Sequence, residues 1–193
     1  QKAVSAPPGL TFVVVSDDAK EKMKNRKTPI ASFYANLMTF DGYYEKKWFP
    51  YTMPISDIYG LRAAFNLIAG DKTLYERHAR IGSATRAAVK EAGLKLHLQS
   101  GYSNTVTVFD IPECTDAKSI LDEMRTKYNI MLAGSFDELS GKVIRIGHMG
   151  ENARLEHMVP ALEALSATLT DLGVTLQGNL ADLFLKHYRE FQD

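Results

Sequence analysis

The chain has 193 residues, 45% of them hydrophobic and 24% charged, which is enough for one large globular domain or two smaller ones. Its 23 basic residues balance 23 acidic ones, so strong attraction to nucleic acid or to a membrane surface is not expected. The single cysteine, Cys114, excludes an intramolecular disulfide framework and favours a cytoplasmic location, and no apolar run approaches the roughly 18 residues of a membrane span.

The N-terminal stretch places a lysine, Lys2, ahead of a stiff turn. Pro7 and Pro8 fix two φ angles and Gly9 can adopt a positive φ, so the chain must turn sharply before residue 10. The apolar, β-rich run 10–16 then predicts a strand buried on both faces, as in an α/β sheet. A lone lysine near a terminus is usually a surface group, so Lys2 gains importance only from features further along the chain.

A rigid loop lies between residues 49 and 54. Pro50 and Pro54 forbid a regular helix there and leave an extended segment that presents Tyr51 and Thr52. The surrounding patterns predict a helix over 17–26, a short strand or loop over 32–38, a loop or short helix over 41–48, and helices over 57–69 and 72–92.

From residue 94 onward, short strands alternate with helices, which is typical of an α/β domain with one solvated sheet face. We expect a domain boundary near residue 71, which gives domains 1–71 and 72–193. The predicted strands are 94–98, 105–109, 130–133 and 142–147, a loop covers 134–141, and the predicted helices are 115–127, 153–172 and 182–191.

Arg145 is the most unusual residue of these strands. Period-two alternation places it on one face with Val143 and Gly147, and the glycine leaves room beside it. A guanidinium in such a place can bind a carboxylate through two parallel hydrogen bonds, which a lysine cannot do. The alternative is an ordinary arginine that faces solvent.

His148, Cys114 and the histidines as a group are further functional candidates. His148 could line the same pocket as Arg145, or serve a surface or capping role. Cys114 stands at the start of a predicted helix, where a thiolate can be stabilised, but no local base accompanies it. The five histidines lack the spacings of metal ligands, so no metal site is expected.

Three segments together carry a family resemblance: 1–2 with 6–9 (QK and APPG), 49–54 (FPYTMP) and 141–150 (GKVIRIGHMG). In order and spacing they closely resemble the class V pyridoxal-phosphate aminotransferases of the alanine:glyoxylate and serine:pyruvate type. The resemblance implies an α/β chain of the fold-type I transferases, with the tail of their large domain and their complete C-terminal small domain. It covers essentially the whole chain but only the rear half of such an enzyme.

The resemblance also implies roles for four residues. Lys2 matches the lysine that binds pyridoxal 5′-phosphate covalently and shuttles the substrate proton. Arg145 matches the arginine that binds the substrate's α-carboxylate. Tyr51 and Thr52 match a loop that reaches the cofactor phosphate of the neighbouring subunit, so a homodimer with shared sites is implied. Some family members have a tyrosine where this chain has Phe49, which puts one phosphate contact in doubt.

The implied activity is transfer of an amino group from alanine or serine to a 2-oxo acid such as glyoxylate or pyruvate, with the N-terminal half of the enzyme as a partner. The groups that bind the pyridine nitrogen and stack on the ring belong to that half. One alternative is a non-catalytic dimerising fragment of the same fold. Another is a cysteine desulfurase, which needs a nucleophilic cysteine on a mobile loop before the arginine strand. Residues 134–140 contain none.

Overall fold

A computed structural model describes residues 1–191 and divides the chain into two compact units. The larger unit contains residues 1–5 and the chain from residue 66 onward, and the smaller unit contains residues 6–65. The boundary expected near residue 71 concerns the domains of a longer enzyme and stays a prediction. None of the helices in the described part is long and apolar enough to cross a membrane.

The smaller unit contains helix α1 (Asp17–Lys24), a 3₁₀ helix (Leu37–Phe40) and the first part of α2 (Ile55–Gly70). Ser16 caps α1 because its hydroxyl accepts a hydrogen bond from the Ala19 N–H at 3.2 Å. The buried strand predicted over 10–16 is wrong for this structure: the segment has no strand, and Val14 is 98% exposed. A strand needs a neighbour for its N–H and C=O groups, and no described residue makes a backbone hydrogen bond to residues 10–15.

Four further helices belong to the larger unit: α3 (Leu74–Glu91), α4 (Ala117–Tyr128), α5 (Leu155–Asp171) and α6 (Leu180–Glu190). Each predicted helix is confirmed, with ends that differ by two residues or fewer. Local signals explain the agreement. Asp116 caps α4 by accepting from the Ser119 N–H at 3.0 Å, and Gly93 follows α3 with a φ of +87°.

The sheet of the larger unit is an antiparallel pair, β1 (Val106–Asp110) and β2 (Val143–Gly147), in which Val108 lies opposite Arg145. The strands expected over 94–98 and 130–133 are reduced to single bridges, Leu96 to Phe109 and Ala133 to Arg145. These segments extend the sheet on either side, but each makes too few ladder hydrogen bonds to count as a strand.

One face of this sheet forms the core. Phe109, Ile144 and Ile146 are at most 2% exposed, whereas Val108 and Arg145 on the other face are half-buried; that second face is partly covered and not fully solvated as expected, since Val143 on it is buried. Helix α6 packs against α3 and α5, and α5 also packs against α4. The helices cover the core face of the sheet, and Arg145 lies on the opposite face.

Candidate active site

Arg145 lies in strand β2, which has a neighbouring segment on each side. Across from it lies Val108 of β1, and on the opposite edge its N–H donates to the Ala133 carbonyl at 2.7 Å. The Ala133 N–H donates back to the Arg145 carbonyl at 3.3 Å. Both backbone hydrogen bonds of Arg145 therefore go to Ala133, while Val108 flanks it on the other side, so the backbone position of Arg145 is fixed by its neighbours.

The guanidinium of Arg145 is held through one nitrogen only. Nε donates to the Gly134 carbonyl at 2.5 Å, and the ring of Phe136 lies 5.9 Å from the guanidinium carbon. Within residues 1–191 its two terminal nitrogens have no hydrogen-bond partner and no carboxylate lies within ion-pair distance. A Cβ on Gly147 would meet no atom within 4 Å, so space is open beside the strand. The arrangement leaves the guanidinium fork available to a carboxylate.

Lys2 and Arg145 line the same cleft of the larger unit, which has a volume of about 600 Å³. This volume lies in the range of small-molecule sites. The walls combine apolar side chains, such as that of Met131, with a few polar ones, such as those of Asn152 and His157. Two residues predicted from distant parts of the sequence are thus brought to one site.

Sequence reasoning missed the contribution of α5 to this cleft. Glu156, His157, Pro160 and Ala161 of α5 line it, together with Asn152 from the link before the helix. The available signal was their position: the first turn of α5 follows the Arg145 strand after only a short link, so its residues cannot lie far from the end of β2.

Tyr51 and Thr52 belong to the smaller unit. The Tyr51 hydroxyl donates to the Phe33 carbonyl at 2.9 Å, and its ring stacks on Tyr34 with centroids 5.2 Å apart. Thr52 is exposed, and its hydroxyl has no hydrogen-bond partner within the described residues. Of the two candidates, Thr52 has the hydroxyl proton that is free to donate to a phosphate. Phe49 packs against Phe40, with ring centroids 5.7 Å apart.

His148 neither lines the cleft nor lies at the surface, since it is fully buried. Its Nδ1 donates to the Asn104 carbonyl at 3.2 Å, and its Nε2 accepts from the Thr107 hydroxyl at 2.8 Å. Burial lowers the pKa of His148 to about 4, so the ring is neutral at pH 7. His148 is a core residue that joins the end of β2 to β1 and the segment before it.

Cys114 is exposed and free, two residues before the Asp116 cap of α4. It is not among the described residues that line the cleft. The geometry therefore gives its thiol no part in the chemistry of Lys2 and Arg145.

The chain is similar to known aminotransferases along nearly its whole length. The serine–glyoxylate aminotransferase of Arabidopsis thaliana is 36% identical over 97% of this chain and 48% of its own. A solved ureidoglycine–glyoxylate aminotransferase from Bacillus subtilis superposes with a TM-score of 0.90 at 29% identity, over 97% of this chain and 50% of that structure. The pyridoxamine–pyruvate aminotransferase of Mesorhizobium loti gives a TM-score of 0.88 at 32% identity, over 98% and 50%.

No model of a protein family matches the sequence. The chain spans about half the length of the relatives it matches. Identities above 30% over nine-tenths of the chain, together with a shared fold, leave common ancestry as the explanation. The chain is therefore a relative of the class V pyridoxal-phosphate-dependent aminotransferases of the alanine:glyoxylate and serine:pyruvate type, with the α/β fold of the C-terminal portion of these enzymes.

Proposed function

We propose that the protein to which this chain belongs is a pyridoxal-phosphate-dependent aminotransferase that moves an amino group from alanine or serine to glyoxylate or pyruvate. The observation that carries the proposal is the cleft shared by Lys2 and Arg145. The names of its relatives, serine–glyoxylate and alanine–glyoxylate aminotransferases among them, support the choice of substrates.

The residues present fit the cofactor and an amino acid. Pyridoxal phosphate needs an amine to hold its aldehyde carbon, and Lys2 is a lining residue of the cleft with no ion-pair partner among the described residues. An amino acid needs a cation for its α-carboxylate, and the free fork of Arg145 lines the same cleft. A phosphate needs hydroxyl or N–H donors, which the Thr52 hydroxyl can supply.

When bound, pyridoxal phosphate supplies an electron-withdrawing ring that weakens the Cα–H bond of an amino acid. Arg145 binds the α-carboxylate through its two terminal nitrogens and so orients that bond for cleavage. Lys2 would hold the cofactor's aldehyde carbon until the amine of the substrate displaces it, and the Nζ freed in this way would take the proton from Cα as a general base. Both groups must face one small space, and the cleft that Lys2 and Arg145 both line supports these roles.

We further propose that the active protein is a homodimer that includes the N-terminal half of the enzyme. In that assembly Thr52, with Tyr51 beside it, contacts the cofactor phosphate bound to the partner subunit. The exposed position of Thr52 on a proline-bounded loop supports this role. A cytoplasmic location is proposed on the single, free Cys114.

Neither rival function is favoured by the geometry. A cysteine desulfurase needs a thiol near the arginine, and Cys114, the only cysteine, lies outside the cleft lining. A non-catalytic fragment has no need for a lysine and an unpaired arginine in one cleft. Mass spectrometry of the protein from its native source tests that second rival, because a chain starting at residue 1 in the mature protein would favour it.

The test is the Lys2→Ala variant of the full-length protein, assayed for transfer from alanine or serine to glyoxylate. Loss of the proton-transferring amine lowers turnover by about 100-fold or more. Lys90→Ala is the matched control, because Lys90 is an exposed lysine of the same unit that does not line the cleft. Unchanged turnover in Lys2→Ala refutes the proposal.

The isolated chain is expected to bind pyridoxal phosphate poorly, because the family resemblance assigns the residues that bind the ring and most of the phosphate to the other half. Titration of the purified chain with the cofactor, followed by absorption spectroscopy, checks this expectation. A stable bound-cofactor band with the chain alone would contradict it.

A further inference from the structure

The backbone of Lys2 is part of a tight turn. The Ser5 N–H donates to the Lys2 carbonyl at 2.9 Å, and Ser5 adopts a φ of +57°, which is unusual for a residue other than glycine. A non-glycine residue is held in this conformation only when its surroundings impose it. The contacts of Ser5 show which surroundings do so.

The turn contacts the link between β2 and α5. The Glu151 N–H donates to the Ser5 hydroxyl oxygen at 3.0 Å, although 146 residues separate the two. Gly150, just before it, has a φ of +60°, and a Cβ there would clash with the Ser5 hydroxyl oxygen. That Cβ would also lie 2.9 Å from the Ala3 carbonyl oxygen and 3.2 Å from that of Lys2. Only glycine lets the two backbones approach this closely.

Gly150 is itself held from the other side by a buried histidine. Its N–H donates to Nε2 of His78 at 2.9 Å, so Nδ1 carries the ring proton and donates to the Leu74 carbonyl at 2.6 Å. His78 is 7% exposed. A chain of contacts thus runs from α3 through His78 and Gly150 to the turn that begins at Lys2.

We propose that Ser5 and Gly150, with His78 behind them, are positioning residues that fix the lysine turn so that the Lys2 amine faces the cleft with Arg145. The inference rests on the proposed function, since it assigns these residues to the capture of pyridoxal phosphate by Lys2. They act on the lysine alone and do not touch the substrate. Ligands that bond to the lysine therefore depend on them, and ligands that cannot bond to it do not.

Two variants of the full-length protein test the proposal. Ser5→Gly removes the hydroxyl without adding strain, because glycine tolerates a positive φ. Gly150→Ala introduces the clash with the turn. Gly173→Ala is the matched control: Gly173 has a φ of +85° but no atom within 4 Å of its would-be Cβ, so alanine there suffers the backbone strain without touching the turn.

The first measurement is the rate at which pyridoxal phosphate attaches to Lys2, trapped with borohydride and read by the mass of the Lys2 peptide. The second is the dissociation constant of pyridoxamine phosphate, which has no aldehyde and cannot bond to a lysine. We expect attachment to slow about fivefold in Ser5→Gly, the equivalent of one hydrogen bond, and about tenfold or more in Gly150→Ala. Pyridoxamine phosphate should bind all four proteins equally, and Gly173→Ala should label like the wild type.

The positioning role would be overturned if Ser5→Gly is labelled at the wild-type rate, or if pyridoxamine phosphate binding is weakened as much as pyridoxal phosphate labelling is slowed. Either result would leave the proposed function intact. If the wild-type protein itself acquires no label on Lys2, the proposed function fails, and the positioning role with it. Circular dichroism shows which variants fold. If Gly150→Ala does not fold, the result for Ser5→Gly alone decides whether the positioning role holds.

Discussion

Acidification should weaken the larger unit through the buried side chain of His148. In the folded chain burial lowers the pKa of His148 to about 4, against an ordinary value of 6.5. Between these pH values the unfolded chain binds a proton that the folded chain excludes, so the free energy of unfolding falls as the pH falls. A gap of about 2.5 pH units, at about 1.4 kcal/mol each, corresponds to about 3.5 kcal/mol. The stabilisation is complete above pH 6.5 and lost by about pH 4.

Urea unfolding of the full-length protein at a series of pH values measures this effect. The His148→Gln variant should be less stable at pH 7 but should show a shallower loss of stability between pH 6.5 and 4, because glutamine does not titrate. His157→Gln is the matched control: it removes an exposed histidine and should keep the wild-type slope. Equal slopes in wild type and His148→Gln would refute the reasoning.

Three further predictions concern the site and the core. Arg145→Lys should lower kcat/KM for alanine or serine by about 10- to 100-fold in steady-state assays, because lysine cannot form the paired hydrogen bonds; an unchanged value contradicts the carboxylate role. Thr52→Val should raise the dissociation constant of pyridoxal phosphate more than Tyr51→Phe does, since the Tyr51 proton already goes to Phe33; titration would show the reverse order if this is wrong. Phe184→Ala should cost about 3–5 kcal/mol in urea unfolding, because the ring is fully buried, and a loss below about 1 kcal/mol would contradict that packing.

The helices could be predicted because their signals are local. Ser16 and Asp116 stand directly before α1 and α4 and cap them, and the apolar residues recur at helical spacing. The strand expected over 10–16 could not be judged in this way. Its residues have strand propensity, but a strand exists only when another segment pairs with it, and that information lies outside the run itself.

The site was predicted in part, and the misses have identifiable causes. Motifs point to Arg145 and Lys2 as site residues. That they line a common cleft depends on the tertiary structure, which no motif reports. The burial of His148 could have been found by extending the period-two pattern one step beyond Gly147, because Ile144 and Ile146 already face the core. The contact of Gly150 with the lysine turn joins segments far apart in sequence, and no local pattern reports it.

A crystal structure of the full-length protein grown with pyridoxal phosphate tests the central claim most directly. We predict the cofactor bonded to Lys2, the Arg145 guanidinium facing the same cleft, and Thr52 of a second copy at the phosphate. A cofactor bound elsewhere, with Lys2 turned to solvent and away from Arg145, would contradict the account.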